Sequence, residues 1–277
     1  MNRTGVLAPV WAWLVALLVA PLGIVVAIAL AAPADGVPPF ALGLTLDSFV
    51  AILTDPLYRD ALGLSLWVAF VSTSLCLLLG YPLALAIAQA PERRRDALLL
   101  ALMLPFWSGF LMRLNAWIGL LADDGWIAGA LAWLAGEPMR LLQTDAALYI
   151  GMVYTYLPFM VLPLYASLSR LDPALGEAAS DLGAPAWERF WRVIVPLSAP
   201  GIAAGCALVF IPAVGEYVIP ELLGGPGAQL AGRVLWTEFF TNRDWPMASA
   251  LAVTLLVVLL AVPAAARAVL HRFQQIG

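Results

Sequence analysis

Read between its charged residues, the chain falls into long apolar intervals at residues 4–34, 61–91, 97–112, 146–169, 193–215 and 245–266. An arginine or aspartate at mid-bilayer costs roughly 2.5–3.5 kcal/mol on insertion scales, so charge-free intervals mark membrane spans sharply. Most are longer than the roughly 20 residues a helix needs to cross. The third is cut by Arg113, but apolar text resumes through Leu114, Ala116, Trp117, Ile118, Leu120 and Leu121. The pattern predicts an all-α membrane protein with six transmembrane helices. The first interval, apolar from about Val10 to Ala32, is long for the hydrophobic region of a secretory signal and is read as an uncleaved span. Between Asp124 and Glu137, the run Trp126 to Ala135 is too short to cross and predicts an outer interfacial helix, with Trp126 and Trp133 among the belt aromatics.

Loop charge sets the expected orientation. With the N-terminus inside, the inner segments hold nine arginines: Arg3, Arg93, Arg94, Arg95, Arg170, Arg189, Arg192, Arg267 and Arg272. The outer segments hold Arg59, Arg140, Arg233 and Arg243, with Arg113 near or within a span. The excess of basic residues inside predicts a multi-pass protein of the cell inner membrane with both termini cytoplasmic. Acidic residues lean the other way, and the outer face is net negative, through Asp35, Asp47, Asp55, Asp60, Asp123, Asp124, Glu137, Asp145, Glu221, Glu238 and Asp244. Such a face favours arriving cations over about 8–10 Å; ordinary solubilising loop charge is the plainer reading of the same residues.

Composition removes other classes. The chain is 63% hydrophobic and 12% charged, and all fourteen of its basic residues are arginine. Without lysine it cannot supply a P-loop or a Schiff-base amine. Its one histidine, His271, lies near the end, which argues against a Ser-His-Asp triad or a two-histidine metal site. Cys76 and Cys206 sit in apolar runs as packing residues. A net charge of −4 gives no sign of nucleic-acid binding.

The loop between the fourth and fifth intervals, residues 170–194, carries the most information. Asp172 is a good N-cap with Pro173 at the first helical position, and Gly183 stands where a helix ends in the left-handed conformation. The helix between them has a narrow apolar face of Ala174, Leu175, Ala178, Ala179 and Leu182, with Glu177 and Asp181 one turn apart elsewhere. A second helix starts at Pro185, with Trp187, Phe190, Trp191 and Ile194 on one face and Glu188 and Arg192 as an i,i+4 pair. It should lie along the inner membrane surface and lead into the fifth span.

In this loop Glu177-Ala178-Ala179, Gly183 after three further residues, and Val193-Ile194-Val195-Pro196 after nine more resemble the EAA signature of binding-protein-dependent ABC importer permeases. The usual pattern is EAA-x3-G-x9-I-x-L-P; Val193 and Val195 stand in for Ile and Leu with similar shape. The stretches Met103 to Trp107, Gly151 to Pro158, Phe210 to Glu216 and Asn242 to Pro246 are similar to the spermidine/putrescine branch, particularly its putrescine permeases. The resemblance implies a type I ABC importer transmembrane domain over residues 61–270, preceded by a first helix and outer loop at 1–60. It implies that Glu177, Ala178, Ala179, Asp181, Gly183 and Pro196 belong to a coupling helix region that docks on a separate dimeric ATPase subunit. It also implies a second permease subunit in a heterodimer, a periplasmic or extracellular substrate-binding protein, and polyamine translocation by alternating access. ATP and magnesium would be used by the ATPase partner, and no cofactor would be bound by this chain. Other small solutes remain alternatives: an amine resembling an amino acid, ferric ion or phosphonate. A stand-alone secondary transporter or channel would leave the loop around Gly183 without a role.

Within the spans, Glu216 follows Pro212 and Gly215 near the outer end of the fifth interval. Either it is a transient counter-charge for a cationic substrate, or it sits at the interface or in a structural pair. Arg113, with Asn115 close by, is expected to pair with an acid, hold an outer gate or snorkel to the headgroups. Tyr81, Trp107, Tyr154, Tyr156 and Phe159 offer cation–π faces for an amine.

Overall fold

In a bilayer, backbone polar groups find no water, and a helix satisfies them within one segment. The computed structural model describes residues 3–137 and 140–274, and helix occupies every apolar interval. The side chains of residues 1–8 and 262–277, among them Arg3, Arg267, His271 and Arg272, lie outside the described set.

The first helix, α1, covers Arg3–Ala29. A two-stranded antiparallel ladder follows, β1 (Ala32–Pro33) against β2 (Phe40–Ala41), with Ala32 opposite Ala41. Short α2 (Asp47–Thr54) precedes α3 (Pro56–Gln89). Next come α4 (Glu92–Met103), a 3₁₀ turn (Leu104–Trp107), α5 (Phe110–Leu121) and α6 (Trp126–Ala135). Helix α7 (Asp145–Leu168) starts at Thr144, whose hydroxyl accepts the Ala147 N–H. The loop helices are α8 (Pro173–Asp181) and α9 (Ala186–Arg189), the latter continuing as a π-helical stretch (Phe190–Ile194) into α10 (Val195–Leu197). Then follow α11 (Ala199–Val214), α12 (Val218–Leu222), α13 (Ala231–Trp236), a second π-helical stretch (Thr237–Asn242) and α14 (Trp245–Gln274).

Length and hydropathy qualify three of these helices among the described residues as able to cross: Trp11–Ala29, Pro56–Gln89 and Asp145–Leu168. The number is five if each of two bent pairs forms one span, and Trp245–Ala261 is a shorter apolar helix. Six straight crossings are therefore not what the third and fifth intervals build. The third breaks between Leu104 and Gly109, and the runs on either side, Glu92–Trp107 and Phe110–Leu134, meet at 91°. Pro105 brings no N–H to a helix, and Ser108 turns extended (ψ 149°) while its hydroxyl donates to the Pro105 carbonyl at 2.7 Å. The fifth bends by 67° at Ser198, between the run Ala186–Leu197 and α11.

Packing divides the chain into two units, residues 65–229 in one and residues 1–64 with 230–277 in the other. In the second of these, α1 and α2 pack against α14, and Ala29, Ile52, Ala61, Val234, Met247, Ala250 and Leu251 form the core. Glu238, only 7% exposed, accepts hydrogen bonds from the Tyr58 hydroxyl at 3.0 Å and from Asn242 Nδ2 at 2.9 Å.

In the unit of residues 65–229, α7 and α11 lie along each other with their backbones close. A Cβ at Gly201 would stand 2.5 Å from the Ser167 Cβ and 2.9 Å from the Pro163 carbonyl oxygen, and one at Gly205 would stand 2.7 Å from the Met160 sulfur. Small residues give helices in lipid the approach that dispersion contacts need, because lipid tails leave little hydrophobic drive between them. Met152, Met160, Val161 and Leu164 of α7 and Val209 and Ala213 of α11 are fully buried.

Candidate coupling loop and translocation site

The first helix of the 170–194 loop folds as its residues predict, whereas the second, expected as one helix from Pro185, is α-helical only to Arg189 and π-helical from Phe190 to Ile194. Asp172 Oδ1 accepts the Ala174 N–H at 2.9 Å, and α8 then runs to Asp181. The chain turns at Gly183 with φ +82°, where the Ala184 N–H reaches back to the Ala179 carbonyl at 3.0 Å. Glycine adopts this left-handed geometry without the Cβ penalty other residues meet. Arg189 Nη1 donates to Ser180 Oγ at 2.7 Å and ties α9 back to α8, while Arg192 pairs with Glu188 at 3.0 Å. Glu177, Ala178, Asp181, Gly183 and Pro196 are all exposed, and Ala179 is half-buried. Leu182 is 89% exposed and Leu175 47%, so α8 offers a small, largely uncovered apolar face flanked by two carboxylates.

Behind the loop, the Tyr81 and Ser198 hydroxyls bond at 2.8 Å and the Tyr81 ring meets the Phe190 edge at 5.5 Å. The 67° bend is thus anchored to α3. An apolar cleft of about 400 Å³ lies here, walled by Leu77, Leu78, Tyr81, Phe190 and Trp191 among others.

Glu216 occupies a structural position. Its Oε1 accepts the backbone N–H groups of Tyr217, Val218 and Ile219 at 3.2, 3.0 and 3.4 Å and so caps α12. Its Oε2 accepts from the Tyr156 hydroxyl on α7. The carboxylate is half-buried, and the aromatic ring of Phe159 lies 6.3 Å from that of Tyr156. Of the two readings open from sequence, the structural pair is present; its partner Tyr156 is invisible to spacing because it lies sixty residues away on another helix.

Among the described residues, Arg113 meets no acid. Its Nη1 donates to the Pro105 carbonyl at 2.9 Å, and its guanidinium lies 4.7 Å from the centre of the Phe106 ring and 6.0 Å from that of Phe110. At the break the Pro105 carbonyl also accepts the Ser108 N–H at 3.3 Å and the Ser108 hydroxyl at 2.7 Å, and the cation joins them there. Asn115 Nδ2 donates to the Leu111 carbonyl at 2.9 Å on the exposed side of α5 and has no part in holding Arg113. Trp107 is 80% exposed. Tyr154 packs edge-on against Trp117 at 5.3 Å, separate from the Phe106–Phe159 edge contact at 5.5 Å. Of the five aromatics selected from sequence, Tyr81 packs on Phe190 and Tyr154 on Trp117, and only Phe159 and Tyr156, joined by Phe106, lead to Glu216.

Apolar helices, among them two bent pairs, with an exposed capped loop between α7 and α11, are the frame of a membrane permease component, and the family match bears this out. The chain belongs to the family described as binding-protein-dependent transport system inner membrane component, whose model matches residues 6–274. It is 44% identical over 217 residues to the spermidine/putrescine transport system permease protein PotB of Salmonella typhimurium (strain SL1344), covering 78% of this chain and 75% of that protein. The PotB proteins of Escherichia coli (strain K12) and Haemophilus influenzae are 43% and 38% identical, covering 78% and 91% of this chain and 78% and 88% of theirs. Among solved structures, a bacterial ABC transporter involved in the import of the acidic polysaccharide alginate superposes with a TM-score of 0.70 at 20% identity, over 97% of this chain and 94% of that one. That likeness establishes the shared fold.

Proposed function

We propose that this chain is a permease subunit of an ATP-driven importer that moves polyamines, putrescine and spermidine, across the inner membrane by alternating access. The observation that carries the substrate is the 38–44% identity to PotB proteins over most of the chain. The α8 loop supports the energy coupling: Glu177 and Asp181 stand exposed beside a small apolar face, ready to enter a groove on an ATPase subunit. In this reading the ATPase dimer binds ATP and magnesium, this chain binds neither, and a substrate-binding protein delivers the ligand from the outer side. A second, related permease completes the pore as a heterodimer, and both termini face the cytoplasm.

The test is reconstitution of the full assembly in liposomes, followed by ATP-dependent uptake of radiolabelled putrescine and spermidine. Excess γ-aminobutyrate, ferric ion and phosphonate serve as competitors. Uptake resistant to these and suppressed by unlabelled polyamine supports the proposal; suppression by one of the competitors reassigns the substrate.

A further inference from the structure

In a polycation importer Arg113 calls for an account, since a fixed positive charge repels a polycation that comes near it. Its surroundings give the answer. They comprise the Pro105 carbonyl oxygen at 2.9 Å, which also accepts the N–H and hydroxyl of Ser108, and two aromatic faces at 4.7 and 6.0 Å, all without formal charge. Such a set accepts any organic cation, because the carbonyl takes one N–H and the ring quadrupoles attract positive charge whatever group bears it. The fit to guanidinium is incomplete, for Nε is buried with no hydrogen-bond partner. The station straddles the 91° break, beside Ser108 in extended conformation and Gly109, around which a Cβ would meet nothing within 4 Å. From Phe106 the aromatic surface continues to Phe159 at 5.5 Å and Tyr156 at 6.3 Å, and Tyr156 holds Glu216.

Resting on the polyamine reading above, we propose that the Pro105 carbonyl with the Phe106 and Phe110 rings is a station for a substrate ammonium, which Arg113 occupies as a tethered placeholder until a substrate amine displaces it. The arginine keeps the station filled when the importer is idle and swings away as the ammonium arrives. The next ammonium of the same chain-like cation meets the aromatic surface leading to Glu216.

The experiment measures equilibrium binding of radiolabelled spermidine to the purified complex of permeases and ATPase in nanodiscs, without the binding protein, alongside uptake by the complete assembly. Arg113→Gln removes the competitor, so spermidine binds roughly fivefold more tightly, the factor expected for one cation–π contact. Phe106→Leu in that background abolishes the gain, and Arg113→Lys, which keeps a tethered cation, binds as wild type does. Binding by Arg113→Gln that is unchanged or weaker overturns the proposal, as does a gain that survives Phe106→Leu. Should Arg113→Gln fail to assemble, Phe106→Leu alone decides: a fall in spermidine uptake of several-fold at normal assembly supports the station, and wild-type uptake overturns it. If the wild-type assembly takes up no polyamine, the substrate reading fails, whereas wild-type uptake with insensitive variants fails the station alone.

Discussion

Tyr156 of α7 donates its hydroxyl to the carboxylate of Glu216, which with its other oxygen caps α12 through three backbone N–H groups. One side chain thus joins a long apolar helix to the short helix that follows α11. Glu216→Ala removes the cap and leaves the Tyr156 hydroxyl without its acceptor. The expected loss is about 2–4 kcal/mol of stability, from roughly 1 for the cap and 1–3 for the orphaned polar group. Glu216→Gln retains an oxygen for the α12 amides and should lose less than half of that. Thermal unfolding of the detergent-purified assembly ranks the two, and equal losses would show that the cap contributes nothing.

The α7–α11 contact predicts an ordering among glycines. At Gly201 an added methyl meets the Pro163 carbonyl and the Ser167 Cβ, neither of which can retreat without moving backbone. At Gly151 it meets the Cδ1 of Leu223 at 2.5 Å and the Cγ2 of Ile219 at 3.0 Å, the ends of side chains. Overpacking costs typically 1–3 kcal/mol where neighbours cannot yield. Gly201→Ala is therefore expected at the upper end of that range and Gly151→Ala below it, read from the midpoint of thermal aggregation of each variant.

In the unit of residues 1–64 and 230–277, buried Glu238 depends on Tyr58 and Asn242. Tyr58→Phe takes one donor from a buried carboxylate and should destabilise by about 1–3 kcal/mol. Adding Glu238→Gln, which weakens the demand for that donor, should cost less than the sum of the single changes. Strict additivity in a double-mutant cycle would mean that the two groups do not interact.

What was legible in the sequence is what local rules control. Asp172 as a cap, Pro173 at the helix start, left-handed Gly183 and the Glu188–Arg192 pair all act within a few residues, and each is where the pattern puts it. The apolar intervals located the helices because charge cannot enter a span cheaply. The breaks were not legible: Pro105 ends a helix, whereas Pro82, Pro158 and Pro163 lie inside continuous helices, and proline alone does not distinguish these outcomes. Partners distant in sequence were equally hidden. Arg113, open in sequence to an acid, an outer gate or the headgroups, donates to a carbonyl at a break that hydropathy does not register, and nothing local marks Tyr156, read as a cation–π face, as the partner of Glu216.

Gly183 offers the sharpest test of coupling. Its φ of +82° is required by the turn that sets α8 against α9, and no neighbouring atom would obstruct a Cβ there, so a substitution acts through backbone conformation alone. Left-handed geometry costs an ordinary L-residue roughly 1–2 kcal/mol, and a β-branched residue is an outlier there, while asparagine adopts it comparatively readily. Gly183→Val should therefore displace α8 from its place beside Arg189 and lower recovery of the ATPase with the purified permease by about tenfold, the equivalent of about 1.4 kcal/mol. Gly183→Asn should recover nearly wild-type amounts. Because the residue is exposed and lies outside the packed helices, both variants should accumulate normally in the membrane. Equal ATPase recovery by Val and Asn variants would show that the turn does not set the docking surface, and α8 would lose its assigned role.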